Sequence, residues 1–118
     1  MADFVRLLKG EIFMNVINSQ ETPADQRNKS VCFPIGQVVA TPGALELMDR
    51  MAVNASDLLQ RHQSGDWGSV TSEDAELNEQ SIINGNRILS SYHFGEDRIW
   101  IITEADRSYT TFLLPEEY

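Results

Sequence analysis

The sequence predicts an α+β domain in which two to three helices are followed by a three-stranded antiparallel β-meander. Three observations carry that expectation. Between Thr41 and Gly85 apolar side chains recur at helical spacing behind residues that cap helices. From Arg87 the period changes to two, and two polar turns divide the remaining chain into three strand-length runs.

Phe4, Val5, Leu7, Leu8 and Ile12 recur at helical spacing, which predicts a short amphipathic helix over residues 2–13. Lys9-Gly10-Glu11 can be encoded by a purine-rich stretch resembling a bacterial ribosome-binding site, so a translation start at Met14 is an alternative expectation. Residues 19–30 contain no large apolar side chain and read as a mobile linker. Residues 1–30 are therefore expected to be an extension, and 31–118 one compact domain.

Phe33, Ile35, Val38 and Val39 form a short extended segment interrupted by Pro34 and Gly36, as in an edge strand or a packed loop. Thr41-Pro42 starts a helix, because threonine caps free backbone donors and proline at the first position loses no hydrogen bond. Leu45, Leu47, Met48 and Met51 supply its buried stripe. Asn54 or Ser56 caps a second helix that carries Leu58, Leu59 and His62 and stops at Gly65. Thr71-Ser72-Glu73-Asp74 opens a third, running to Asn84 and ending at Gly85. Its few apolar positions, Ala75, Leu77, Ile82 and Ile83, make it peripheral.

Ile88, Ser90, Tyr92 and Phe94 alternate with Leu89, Ser91 and His93, and Gly95-Glu96-Asp97 forms a hairpin turn. Ile99-Trp100-Ile101-Ile102 is the continuous apolar run of a central strand. Glu104 to Ser108 turns the chain into the third strand, Tyr109 to Leu114, which Pro115 ends. Helices on one face would leave Trp100 or Ile101 open on the other, to be covered by a homodimer through the β-sheet or by the N-terminal segment folding back, and of the two the homodimer is favoured.

Composition narrows the function. The chain has 118 residues and a net charge of −9, all of it within residues 35–118, where no lysine occurs. Such a field repels phosphates and argues against non-specific nucleic-acid binding. The single Cys32 has no disulfide partner and reads as a small buried hydrophobe beside Phe33, consistent with a reducing cytoplasm. No apolar run approaches a membrane span. No metal-ligand spacing or Gly-rich phosphate loop appears, so neither metal nor cofactor is expected.

Two stretches carry groups capable of chemistry. The first places Arg61, His62, Asp66 and Trp67 around a helix end, where His62 offers a general base and Arg61 an anion clamp, or where the same residues cap the helix and plug the core. The second gathers Glu104, Asp106, Arg107 and Ser108 at a turn ahead of Thr110 and Thr111, either for proton transfer or phosphate binding or as a polar hairpin with Asp106 paired to Arg107 and the threonines suited to a strand. A catalytic reading takes His62, Arg107 and Ser108 as the reacting groups. A binding reading takes Arg61, Asp66, Trp67, Asp106 and Thr110 as contacts. Helix-borne histidine ahead of a meander resembles, in order of elements alone, small nucleases and toxins of the barnase and colicin type.

Ile35-Gly-Gln-Val-Val-Ala-Thr-Pro-Gly-Ala-Leu45, Arg61-His62 with Gly65-Asp-Trp-Gly68, and Trp100-Ile-Ile-Thr-Glu-Ala-Asp-Arg-Ser108 with Thr110-Thr-Phe-Leu-Leu-Pro-Glu-Glu-Tyr118 resemble a family of small bacterial proteins carried on plasmids and integrated elements. Some members are labelled as type I restriction subunits. The resemblance covers residues 33–118 and implies a mobile-element setting, without an activity. A modification subunit needs a methyltransferase domain, for which this chain is too short. The leading expectation is an accessory protein that binds an unknown partner protein. The alternatives are a small RNase-like hydrolase using His62 and Arg107, and an acidic DNA mimic that blocks a restriction enzyme.

Overall fold

A computed structural model of the chain describes residues 12–13 and 31–118. The expected linker over 19–30 and most of the expected helix over 2–13 lie outside the described residues. The last two residues of that helix, Ile12–Phe13, form a short strand, β1, instead.

The α+β class holds, with three helices, but the sheet is larger than a meander. Strands β2 (Gln37–Ala40), β3 (Ile88–Phe94), β4 (Asp97–Thr103) and β5 (Tyr109–Leu113) form a mixed sheet with β1 at its edge, in the order β1-β2-β5-β4-β3. The antiparallel meander β3-β4-β5 is present, with Ser90 opposite Ile101 and Ile102 opposite Thr111. The correction is β2, which pairs parallel to β5 with Val38 opposite Thr110. It is not an edge strand: Val38, Val39 and Ala40 are all fully buried.

Each helix starts and stops for a local reason. Thr41 caps α1 (Pro42–Arg50), its Oγ1 accepting from the Ala44 amide at 3.2 Å. Asn54 caps α2 (Ala55–Gln63) through Oδ1 and the Ser56 amide. Thr71 caps α3 (Ser72–Asn84), which Gly85 closes in the left-handed conformation, at φ 79°. Glu117, in the turn after β5, adds a carboxylate at the start of α1: Oε1 accepts from Thr41 Oγ1 at 2.5 Å and Oε2 from the Gly43 amide at 3.1 Å. A Cβ on residue 43 would lie 2.5 Å from that carboxylate, so glycine there admits the close approach.

Helices α1 and α2 lie on one sheet face, where Leu47, Met48, Leu58 and Leu59 pack with Val38, Tyr92, Ile99, Ile101 and Phe112. Met51 is not part of that stripe. It is the C-cap residue of α1, where the backbone has left the helix, and it is exposed. Cys32 is exposed as well, correcting its expected burial. Its amide donates to the Gln63 carbonyl, and the inward position goes to its neighbour Phe33, stacked on Trp67 and edge-on to His62.

The expected open sheet face is also corrected. Ile101 faces the helices and is fully buried, and on the opposite face Val39, Ile102 and Leu113 are buried as well. Trp100 is half-buried with Tyr118 against it, their ring centroids 5.8 Å apart.

The outer edge of β3 is covered along Leu89 to Ser91. The Ser91 amide donates to the Trp67 carbonyl and its carbonyl accepts from Ser69, while the Asn78 side chain of α3 bonds both the amide and the carbonyl of Leu89. An edge covered in this way offers no template for a further strand. Among the described residues no helix is long and apolar enough to cross a membrane.

Candidate functional site

The hydrogen-bond partners of His62 come from the sheet. The last turn of α2 points the ring at β3 and β4, and the side chain has no solvent exposure. Nδ1 lies 2.6 Å from Ser90 Oγ and Nε2 lies 2.9 Å from Thr103 Oγ1. Thr103 Oγ1 continues to Thr110 Oγ1 at 2.7 Å, and Thr110 donates to the Ile35 carbonyl at 2.7 Å.

That final acceptor orders the whole chain. A carbonyl only accepts, so the Thr110 proton is spent on Ile35, and Thr110 receives the proton of Thr103. Thr103 then accepts from Nε2–H, and Nδ1 accepts from the Ser90 hydroxyl. Every member is satisfied with the imidazole neutral and protonated on Nε2. Phe33 and Trp67 close the ring in edge-on contacts, with centroids at 5.1 and 6.0 Å. Burial, reinforced by the positive charge of Arg107, pulls the His62 pKa from 6.5 down to about 3.

Arg107 sits near this cluster with its donors committed elsewhere. Its guanidinium lies over the Phe33 ring at 5.7 Å and donates to the carbonyls of Asn86 at 2.7 Å, Ser81 at 2.8 Å and Glu104 at 3.1 Å. Partial burial lowers its pKa from the usual arginine value. The Ser81 carbonyl also receives the Gly85 amide, so Arg107 completes the C-terminal end of α3. It holds a left-handed backbone, at φ 63°.

Ser108 and Asp106 turn outward and bond one another. The Ser108 amide and hydroxyl both reach Asp106 Oδ1, at 3.0 and 2.5 Å, and hold that carboxyl below its usual range. Asp106 and Arg107 do not form the pair that the hairpin reading expects. His62, Trp67 and Thr110 are thus brought together, while the Arg107 guanidinium lies over the Phe33 ring and Ser108 is exposed.

Arg61 and Asp66 make a separate exposed pair at the end of α2. Arg61 Nε and Nη2 donate to the two carboxylate oxygens at 2.7 and 3.4 Å, and the guanidinium stacks 4.4 Å above the Tyr92 ring. Their contact lowers the Asp66 pKa and raises that of Arg61. With Asp57, Gln60 and Ser64 they line a shallow surface cleft.

Ser90, Thr103 and Phe33 are the site residues that the sequence reading did not single out. Their signal was present in strand parity. Ser90 stands between Ile88 and Tyr92, and Thr103 follows Ile99 and Ile101, each a polar residue on an otherwise apolar face. Among the described residues no three His, Cys, Asp or Glu side chains gather as a metal site would require. Neither a family model, nor a curated protein, nor a solved structure matches this chain.

Proposed function

We propose that this chain is a binding module, an accessory protein of bacterial mobile elements that acts in the cytoplasm through a partner protein rather than by a reaction of its own. One observation carries the reading: the histidine that would serve as general base has both ring nitrogens engaged in a buried, fully satisfied network. A general base must reach the proton it abstracts, and a substrate at His62 would have to displace Phe33, Trp67 or a strand hydroxyl. Arg107 and Ser108 are likewise committed to α3 and to Asp106.

The hydrolase and DNA-mimic readings require other arrangements. The first needs His62 open toward Arg107. The second needs the acids on one face, whereas exposed Glu46, Asp57, Glu73, Glu96 and Asp106 lie on three helices and two turns.

The experiment is affinity capture from the cells that produce the chain, run beside an RNA and ester hydrolysis assay on wild type and His62→Ala. Recovery of a stoichiometric protein partner, with no His62-dependent turnover, is the expected result. Turnover that disappears in His62→Ala while the variant stays folded overturns the reading.

A further inference from the structure

We infer that the sheet face opposite α1 and α2 is a docking surface, and that its occupant is the N-terminal segment of the same chain, residues 1–11. Across β2, β5 and β4 this face presents Val39, Thr111 and Ile102 in one register row, with Leu113 beside them, and all four are buried. The described residues do not account for that burial. Helices α1 and α2 lie on the other face, and α3 is held at the β3 edge by Asn78. Tyr118 reaches this face at Trp100 and Arg87 but is itself 58% exposed. A second layer over the sheet must therefore come from chain outside the described residues.

Composition and attachment select the segment. Residues 14–30 hold Met14, Val16 and Ile17 as their large apolar side chains, all before Asn18, whereas Phe4, Val5, Leu7 and Leu8 form a stripe at helical spacing within residues 2–11. Strand β1 pairs antiparallel with β2, Phe13 opposite Val39, so residue 11 joins the sheet beside the row to be covered. Ten helical residues span about 15 Å and strands lie about 4.8 Å apart, so the segment is long enough to cross β2, β5 and β4.

Charge agrees with this choice over a second copy. Residues 35–118 carry the whole net charge of −9, and Glu104, two positions beyond Ile102, keeps Oε2 buried without a partner. A second copy would bring the same negative field to the face, whereas residues 1–11 bring Arg6 and Lys9. The sheet is thus closed on both faces within one chain.

The test uses the full chain carrying Cys32→Ser and a nitroxide on Asp3→Cys, a position off the apolar stripe and remote in sequence from β1. Methyl NMR is expected to show relaxation at Val39, Ile102 and Leu113 at least about threefold faster than at Leu47 and Leu58, which lie one packed layer of about 10 Å further off. Isotope-labelled chains mixed with nitroxide-bearing chains that lack isotope are expected to show no enhancement. Enhancement in the mixture would make a second copy the occupant, and equal or absent enhancement at the two faces of one chain would place the segment elsewhere; either result overturns the inference. In the full chain Leu7→Asp with Leu8→Asp should also uncover the face and raise the fluorescence of added ANS at least about threefold, and unchanged fluorescence overturns the inference as well.

Discussion

His62 Nε2 and Thr103 Oγ1 stand 2.9 Å apart in the interior, and the direction of their hydrogen bond is set by the carbonyl of Ile35 at the far end of the chain of hydroxyls. The ring is thereby a structural group that joins α2 to three strands. Removing it in His62→Ala leaves a cavity and strands the hydroxyls of Ser90 and Thr103, at a cost of about 3–5 kcal/mol. Urea unfolding measures it, and a loss below about 1 kcal/mol would mean that the network carries little of the fold's stability.

The same arrangement fixes a pH dependence. His62 is neutral when folded down to about pH 3, whereas in the unfolded chain it takes up a proton below its ordinary 6.5. The unfolded state then binds more protons, so the contribution of His62 to stability is constant above about 6.5 and falls as pH drops toward 3, by about 1.4 kcal/mol per unit. His62→Gln, which does not titrate, should show a flatter profile between pH 6.5 and 5. Nitrogen NMR of the wild type at pH 5 should find the neutral Nε2–H form; a charged ring there would refute the assignment.

Arg107 supplies donors to three carbonyls from a left-handed backbone. Arg107→Ala is expected to cost about 1–3 kcal/mol and to speed amide exchange in the last turn of α3, with little change in β4. Arg107→Gly relieves the backbone but not the lost bonds, so it should loosen α3 equally. Exchange rates in α3 that match wild type in both variants would remove Arg107 from its role as the helix anchor.

Gly68 holds φ 78°, and a Cβ there would lie 2.0 Å from the Ser91 carbonyl oxygen. Gly68→Ala should therefore push the 67–69 segment off β3, cost about 3 kcal/mol or more, and open a strand edge to self-association. Thermal melting and light scattering check both parts. A monomeric variant with an unchanged melting temperature would show that the edge is protected by other means.

Local chemistry made much of this fold legible. Thr41, Asn54, Thr71 and Gly85 act as caps on the groups beside them in sequence, so their roles follow without knowledge of the tertiary structure. The two-residue turn Gly95-Glu96 follows in the same way from the alternation on either side of it. Strand β2 does not, because four residues hold too short a pattern and its partner β5 is reached only after three helices and a hairpin. The surroundings of His62 failed for a related reason: residue type favoured Arg107 and Ser108 as its partners, whereas the tertiary packing brings Ser90 and Thr103 to the ring. Cys32 illustrates the limit of composition, since an apolar neighbourhood cannot say which of two adjacent side chains turns inward.

The parallel pairing of Gln37–Ala40 with Tyr109–Phe112 also has a temporal meaning. During synthesis β2 emerges long before the strand that completes it, so the early part of the domain must wait with an unmatched edge and an uncovered core. Helices α1 and α2 can form meanwhile, but the sheet on which they rest closes only when the final strand arrives. Nascent chains halted before Tyr109 should consequently remain sensitive to protease between Gln37 and Ser108, and the sheet should close as a single event once β5 has left the ribosome.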